Sequence, residues 1–163
     1  MEPQNFEETS AELERLAVEQ LNDDEGELEA RRQRGRSRRA RVRQLYQQGA
    51  VRTGEDYYHA ALVMLHGDEI ASLELARHMA RRATELGEQR AWSVIATAWD
   101  RALIKRGLPQ RFGTQFVREN GRLSLGPVDP SITDSQRALY GVPPLWVQQQ
   151  TVERLRRREE SDQ

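Results

Sequence analysis

Cysteine is absent from this 163-residue chain, which excludes disulfides, thiolate metal sites and a cysteine nucleophile and fits a reducing compartment. Histidine is scarce, with three in all, so little imidazole is on hand for acid–base or metal chemistry. An excess of charge is missing too: 25 Lys+Arg stand against 26 Asp+Glu, and no global field gathers nucleic acid or anionic lipid. No apolar run approaches the roughly 18 residues of a membrane span. The opening stretch MEPQNFEETS has neither the basic region nor the apolar run of a secretion signal. Together these absences point to a cytoplasmic protein without membrane contact. The 37% hydrophobic content is enough for one modest core.

What is present reads as helix. Thr9 and Glu12 have capping-box spacing before Leu13, Leu16, Ala17 and Leu21, predicting a helix that starts near Thr9 and ends near Asn22. A charge diblock follows. Asp23, Asp24, Glu25, Glu27 and Glu29 precede Arg31, Arg32, Arg34, Arg36, Arg38, Arg39, Arg41 and Arg43, which reads as a self-paired solvated helix or a charged linker. Thr53 and Asp56 repeat the capping spacing ahead of Tyr57, Tyr58, Ala61, Leu62 and Leu65. Two more amphipathic segments stop at Gly87 and Gly107. Short connectors make these three helices antiparallel neighbours, and their alanines allow close approach.

After Gly113 the pattern changes. TQFV and RLSL flank Asn120-Gly121, the dipeptide suited to a type I′ turn, so a β-hairpin is expected near residues 114–125, lying on the helices because two strands alone are marginal. Thr133 and Gln136 cap a short helix, and a last helix from Leu145 is expected to dissolve into RLRRREESDQ. The fold class is therefore mainly α, an antiparallel helical bundle with a small hairpin. Residues 1–48 form an N-terminal helix plus the charged segment, and residues 49–163 form the helical core with the hairpin and C-terminal helices.

His66-Gly67-Asp68, Asp100-Arg101, GLPQRFGTQF over residues 107–116, Val128-Asp129-Pro130 and RALYGVPPL from Arg137 occur in that order. With these elements, residues 56 to 145 resemble a bacterial family of unknown function, the one numbered 6624. That resemblance implies no established activity. Its usual pattern has glutamine before the His-Gly-Asp element, where this chain has Leu65, so a polar site that used the glutamine would be altered here. The arginine block is not part of the family pattern.

The box GLPQRFGTQF gathers two glutamines, an arginine and a threonine around the helix breakers Pro109 and Gly113. In one reading Gln110, Thr114 and Gln115 satisfy backbone groups left unpaired by the turn, while Phe112 and Phe116 anchor it. In the other, Gln110, Thr114 and Gln115 present hydrogen-bonding groups to a ligand in a pocket closed by Asp100, Arg101 and His66. Asp100, on the helix facing this box, needs a partner if it points inward. The candidates are His66, an arginine, or the backbone N–H groups of the glycine-containing turn.

His59 and His66 are two helical turns apart, too far for one metal, and no H-E-x-x-H spacing occurs. The expected metal content is none, with His66 beside Asp68 or Asp100 the remaining imidazole–carboxylate grouping. His59 is expected to bond Asp56 one turn earlier, and His66 to close its helix. No Walker loop, Rossmann fingerprint or nucleophile elbow occurs, so no cofactor is expected.

The functional expectation is a non-enzymatic binding module for a small polar ligand or a peptide segment, using Asp100, Arg101, Gln110, Thr114, Gln115 and His66. Whether the chain is an enzyme stays open. The enzymatic alternative uses His66 as acid or base and Asp100 to orient it. The third reading is nucleic-acid or acidic-partner binding through Arg31, Arg32, Arg34, Arg36, Arg38, Arg39, Arg41 and Arg43. The acids upstream and the lack of aromatics among the arginines weigh against it. Oligomeric state is undetermined, and Tyr140 and Trp146 read equally as core or as an oligomer contact.

Overall fold

The computed structural model describes residues 5–162. These form helices α1 (Phe6–Leu21), α2 (Leu28–Gln47), α3 (Gly54–Leu65), α4 (Ile70–Glu85) and α5 (Ala91–Lys105), strands β1 (Val117–Glu119) and β2 (Arg122–Ser124), and helices α6 (Asp134–Leu139) and α7 (Leu145–Ser161). The protein is mainly α-helical with one small antiparallel sheet, as its periodicity predicts. It divides into two compact units, Met1–Ile95 and Ala96–Gln163, so the division falls within α5.

In the first unit α3 is central and packs against α1, α2 and α4. The N-terminus of α3 is fastened by a full capping box. Asp56 N–H donates to the Thr53 hydroxyl at 3.0 Å, and the Asp56 carboxylate accepts Thr53 N–H at 2.9 Å. α3 and α4 run antiparallel with close contact at both ends. Gly54, opening α3, lies against the carbonyls of Ala83 and Leu86, and Gly67, just past its end, lies against Ser72. A Cβ on Gly67 would stand 2.5 Å from the Ser72 Cβ. Leu13 and Leu16 of α1 and Val42 and Leu45 of α2 are buried in this unit, each such side chain contributing about 2 kcal/mol of apolar burial.

Two boundaries differ from expectation. α1 begins at Phe6 rather than near Thr9: Asn5 is the N-cap, and the Thr9 hydroxyl donates back to the Asn5 carbonyl inside the helix. Capping-box spacing alone does not start a helix when the preceding residues can add a turn. The last helix does not dissolve in the RLRRREESDQ segment from Arg154 but continues to Ser161. There the hairpin holds it, because Arg156 donates to the Leu123 carbonyl and Glu159 pairs with Arg118.

In the second unit, Gly107 at φ +70° closes α5. Phe112 is the hub of a cluster with Ala96, Ile132 and Val142, flanked by Trp99 and Tyr140. Asn120 and Gly121 take φ of 51° and 78°, the two positive values of a type I′ turn. The register pairs Val117 with Ser124 and Glu119 with Arg122. The strands are shorter than the 114–125 span because the residues before β1 bond elsewhere: Thr114 to Asp100 and Gln115 to Gln110.

Candidate functional site

Asp100 is fully buried, and its carboxylate is the centre of the corner that follows α5. One oxygen accepts Arg111 N–H at 2.7 Å and Phe112 N–H at 3.0 Å, and the other accepts Thr114 N–H and the Thr114 hydroxyl, both at 2.9 Å. A carboxylate offers about four acceptor positions, and all are filled. Three loop amides, those of Arg111, Phe112 and Thr114, thus wrap an anion, much as a backbone nest does, but the anion is the protein's own. Of the three partners open to Asp100 in the sequence, the turn's backbone is the one it takes.

Gln110 is the second anchor, 1% exposed. Its backbone N–H donates to the Pro127 carbonyl at 3.0 Å and its carbonyl accepts Asp129 N–H at 2.7 Å, an isolated parallel bridge to the segment around Val128. Its side-chain amide accepts Gln115 N–H at 2.8 Å and donates to the carbonyls of Gln115 and Leu125 at 2.9 and 2.6 Å. The amide stands in for a strand residue, tying three chain segments together. Gln115 closes the circuit through its own amide, which donates to the Thr114 carbonyl and hydroxyl at 3.1 and 3.2 Å. Asp100, Thr114, Gln115 and Gln110 therefore form one continuous hydrogen-bonded chain.

Three further residues support the corner that the sequence did not single out. Arg137, 2% exposed, donates to the Phe112 and Ile132 carbonyls at 2.9 Å each and to Asp134 at 3.0 Å. Gln148 donates to the Gly113 carbonyl at 3.1 Å. The Arg111 guanidinium lies over the Trp99 ring, 4.8 Å from its centroid, and its Nε has no hydrogen bond among the described residues. A usable signal for Arg137 was its i,i+3 spacing from Asp134, which neutralises an otherwise buried cation. Arg101 is half-buried on α5 and points about 100° around the axis from Asp100.

His66 belongs to the first unit, where it ends α3 and its Nδ1 lies 2.9 Å from the Leu62 carbonyl. The expected His59–Asp56 bond does not form. The Asp56 carboxyl is held below its usual range although burial opposes this, by the Ser10 side chain and the N–H groups of Thr53 and Arg52. The His59 ring lies 5.5 Å from that of Tyr58 instead.

The arginine block is a helix laced to its neighbours. Arg41 makes a bidentate pair with Glu12 of α1 at 2.7 and 2.9 Å. Buried Arg38 reaches Asp23 at 2.8 Å, and Arg34 also grips Asp23, so that hydrogen bonds from Arg34 first and then Arg38 hold its carboxyl at about 2. Arg36 pairs with Glu29, and Arg43 donates to Ser72 at 2.7 Å. Glu27 and Arg31, one helical turn apart, do not pair, and Arg31 Nε is buried without a hydrogen bond among the described residues.

Beside the Gln110 bridge lies an open recess of about 370 Å³, walled by Ile104, Leu108, Pro109, Val117 and Pro127, with Glu119 on its rim. Among the described residues no group of three or more His, Asp or Glu is placed to hold a metal, and no helix is long and apolar enough to cross a membrane. No family model, curated protein or solved structure matches the chain.

Proposed function

We propose that the protein is a non-enzymatic binding module that takes an apolar side chain of a peptide segment in the recess beside Gln110. The observation that carries this reading is the division of labour at the corner. Asp100, Gln110 and Thr114 give their polar groups to the chain itself, while the neighbouring surface at Leu108, Val117 and Pro127 is apolar and open. Ligand pockets are apolar recesses shaped by a fixed polar frame, and a volume of about 370 Å³ is near the lower end of their range. It suits one or two side chains better than a larger molecule. Under this reading the glutamines and Asp100 build the wall and do not contact the ligand's polar atoms.

The small polar ligand is disfavoured because the donors and acceptors it would need are taken. The acid–base alternative asks the Asp100 carboxylate to orient an imidazole while four donors already occupy it. The resemblance to the bacterial family adds no activity to either side.

The test is a titration of isotope-labelled protein with terminally blocked tetrapeptides carrying Leu, Phe, Gln or Asp at the second position. Shifts in the Leu108, Gln110, Val117 and Gly126 amides with Leu or Phe, abolished by Leu108→Asp, are expected. Responses confined to the Gln or Asp peptides would return the polar-ligand reading to first place, and no response at these amides would end the peptide one.

A further inference from the structure

α7 has two differently occupied sides. Toward the hairpin it buries Val152, donates from Arg156 to the Leu123 carbonyl and pairs Glu159 with Arg118. On the opposite side Trp146, Gln150, Arg154 and Arg157 recur at i, i+4, i+8 and i+11, a single stripe of the helix, about 16 Å long at 1.5 Å per residue. Trp146 is 57% exposed, although indole is among the side chains that gain most from burial. The arginines here are also treated differently from those elsewhere. Arg34, Arg38, Arg41, Arg90 and Arg118 each hold a carboxylate. Among the described residues none pairs with Arg154, Arg157 or Arg158. These three, with Val147, Gln150 and Thr151, border a shallow open recess of about 690 Å³.

We propose that this outer side of α7 docks an acidic amphipathic helix of a different protein, with Trp146 as the apolar anchor and Arg154 and Arg157 as the charged ones. Tryptophan and arginine are the residues on which interface energy concentrates, and a stripe of about three turns is the footprint of a helix laid alongside. Charge selects the occupant. A second copy using the same patch in a two-fold contact would bring three more arginines to the interface and, of the residues bordering the recess, only Glu153 as a carboxylate. A nucleic acid presents a near-continuous row of phosphates, and Glu153 interrupts the stripe between Trp146 and Arg157. A helix can place carboxylates opposite Arg154 and Arg157 and a neutral residue opposite Glu153. This surface is separate from the recess at Gln110 and does not depend on that reading.

The test uses the full chain and three fluorescently labelled probes. One is a synthetic amphipathic helix with leucines on one side and glutamates flanking them, one is its lysine counterpart, and one is an oligothymidylate. Anisotropy should show binding of the glutamate helix, weakened at least about tenfold by Trp146→Ala and by the double exchange Arg154→Glu/Arg157→Glu. The double exchange to lysine should keep most of the binding, since the helix and its charge are retained. Loss with lysine as well as glutamate would show that positive charge is not what is read and would overturn the charge argument. Equal binding of the lysine helix, no binding of the glutamate helix, or tighter binding of the oligothymidylate would each overturn the proposal. So would self-association abolished by Trp146→Ala.

Discussion

Asp100 holds Thr114 twice, through the backbone N–H and through the hydroxyl, each at 2.9 Å. The same carboxylate holds Arg111 and Phe112, so the corner after α5 is organised around a charge the helix supplies. Asp100→Asn keeps the shape but replaces one acceptor oxygen by a donor facing N–H groups. It should destabilise the protein by about 3 kcal/mol, measured by urea unfolding. A loss below about 1 kcal/mol would show that the loop holds itself.

Gln110 gives a pH test. Gln110→Glu would aim a carboxylate at the Gln115 and Leu125 carbonyls, which now accept from the amide. Burial and those carbonyls raise the pKa of the new acid in the folded state. Stability is then fully present below the unfolded value of about 4.3 and is lost as pH rises through the folded one. The variant should be nearest to wild type in mild acid and fall behind toward neutrality. Parallel pH–stability curves would refute this.

The Asp23 carboxyl gives the opposite sign. Held at about 2 against an ordinary 3.8, chiefly by the Arg34 hydrogen bond and then by Arg38, it stabilises the fold above its unfolded pKa. That contribution disappears as pH falls from about 4 toward 2. Unfolding measured across that interval should show a shallower acid loss in Asp23→Asn than in wild type. An unchanged slope would mean that the pair persists in the unfolded chain.

Gly67 tests the α3–α4 contact. A Cβ there would stand 2.5 Å from the Ser72 Cβ and 2.8 Å from its hydroxyl, so Gly67→Ala should lower stability by about 2 kcal/mol. Ser72→Gly in the same chain removes the obstacle, at the loss of the Arg43 bond, and should recover part of it. Equal stability of Gly67→Ala and wild type in thermal melts would show that the helices separate freely.

The parts of this structure that were legible in advance are those decided within a few residues. Thr53 with Asp56, Thr133 with Gln136, and Asn120-Gly121 each satisfy local backbone geometry, and each appears as its spacing predicts. Thr9 and Glu12 carry the same spacing and fail, because a helix start also depends on what precedes it, here Phe6 with Asn5 as cap. The arginine block could be read as self-paired, but not that Arg41 would cross to Glu12 or Arg43 to Ser72, since those choices are made by helix packing that brings together residues 29 apart in sequence. The candidate site was half visible. The box that gathers Gln110, Thr114 and Gln115 announced itself by composition. Which partner each amide takes depended on segments as distant as Leu125 and Pro127.

The nest around Asp100 has a consequence for how this corner behaves in time. The amide hydrogens of Arg111, Phe112 and Thr114 lie outside any helix or strand, yet each points at a carboxylate sealed from water. Loop amides ordinarily trade their hydrogens with deuterated solvent quickly. These three should hold theirs as tenaciously as the middle of a helix, releasing them together when the corner opens as a unit.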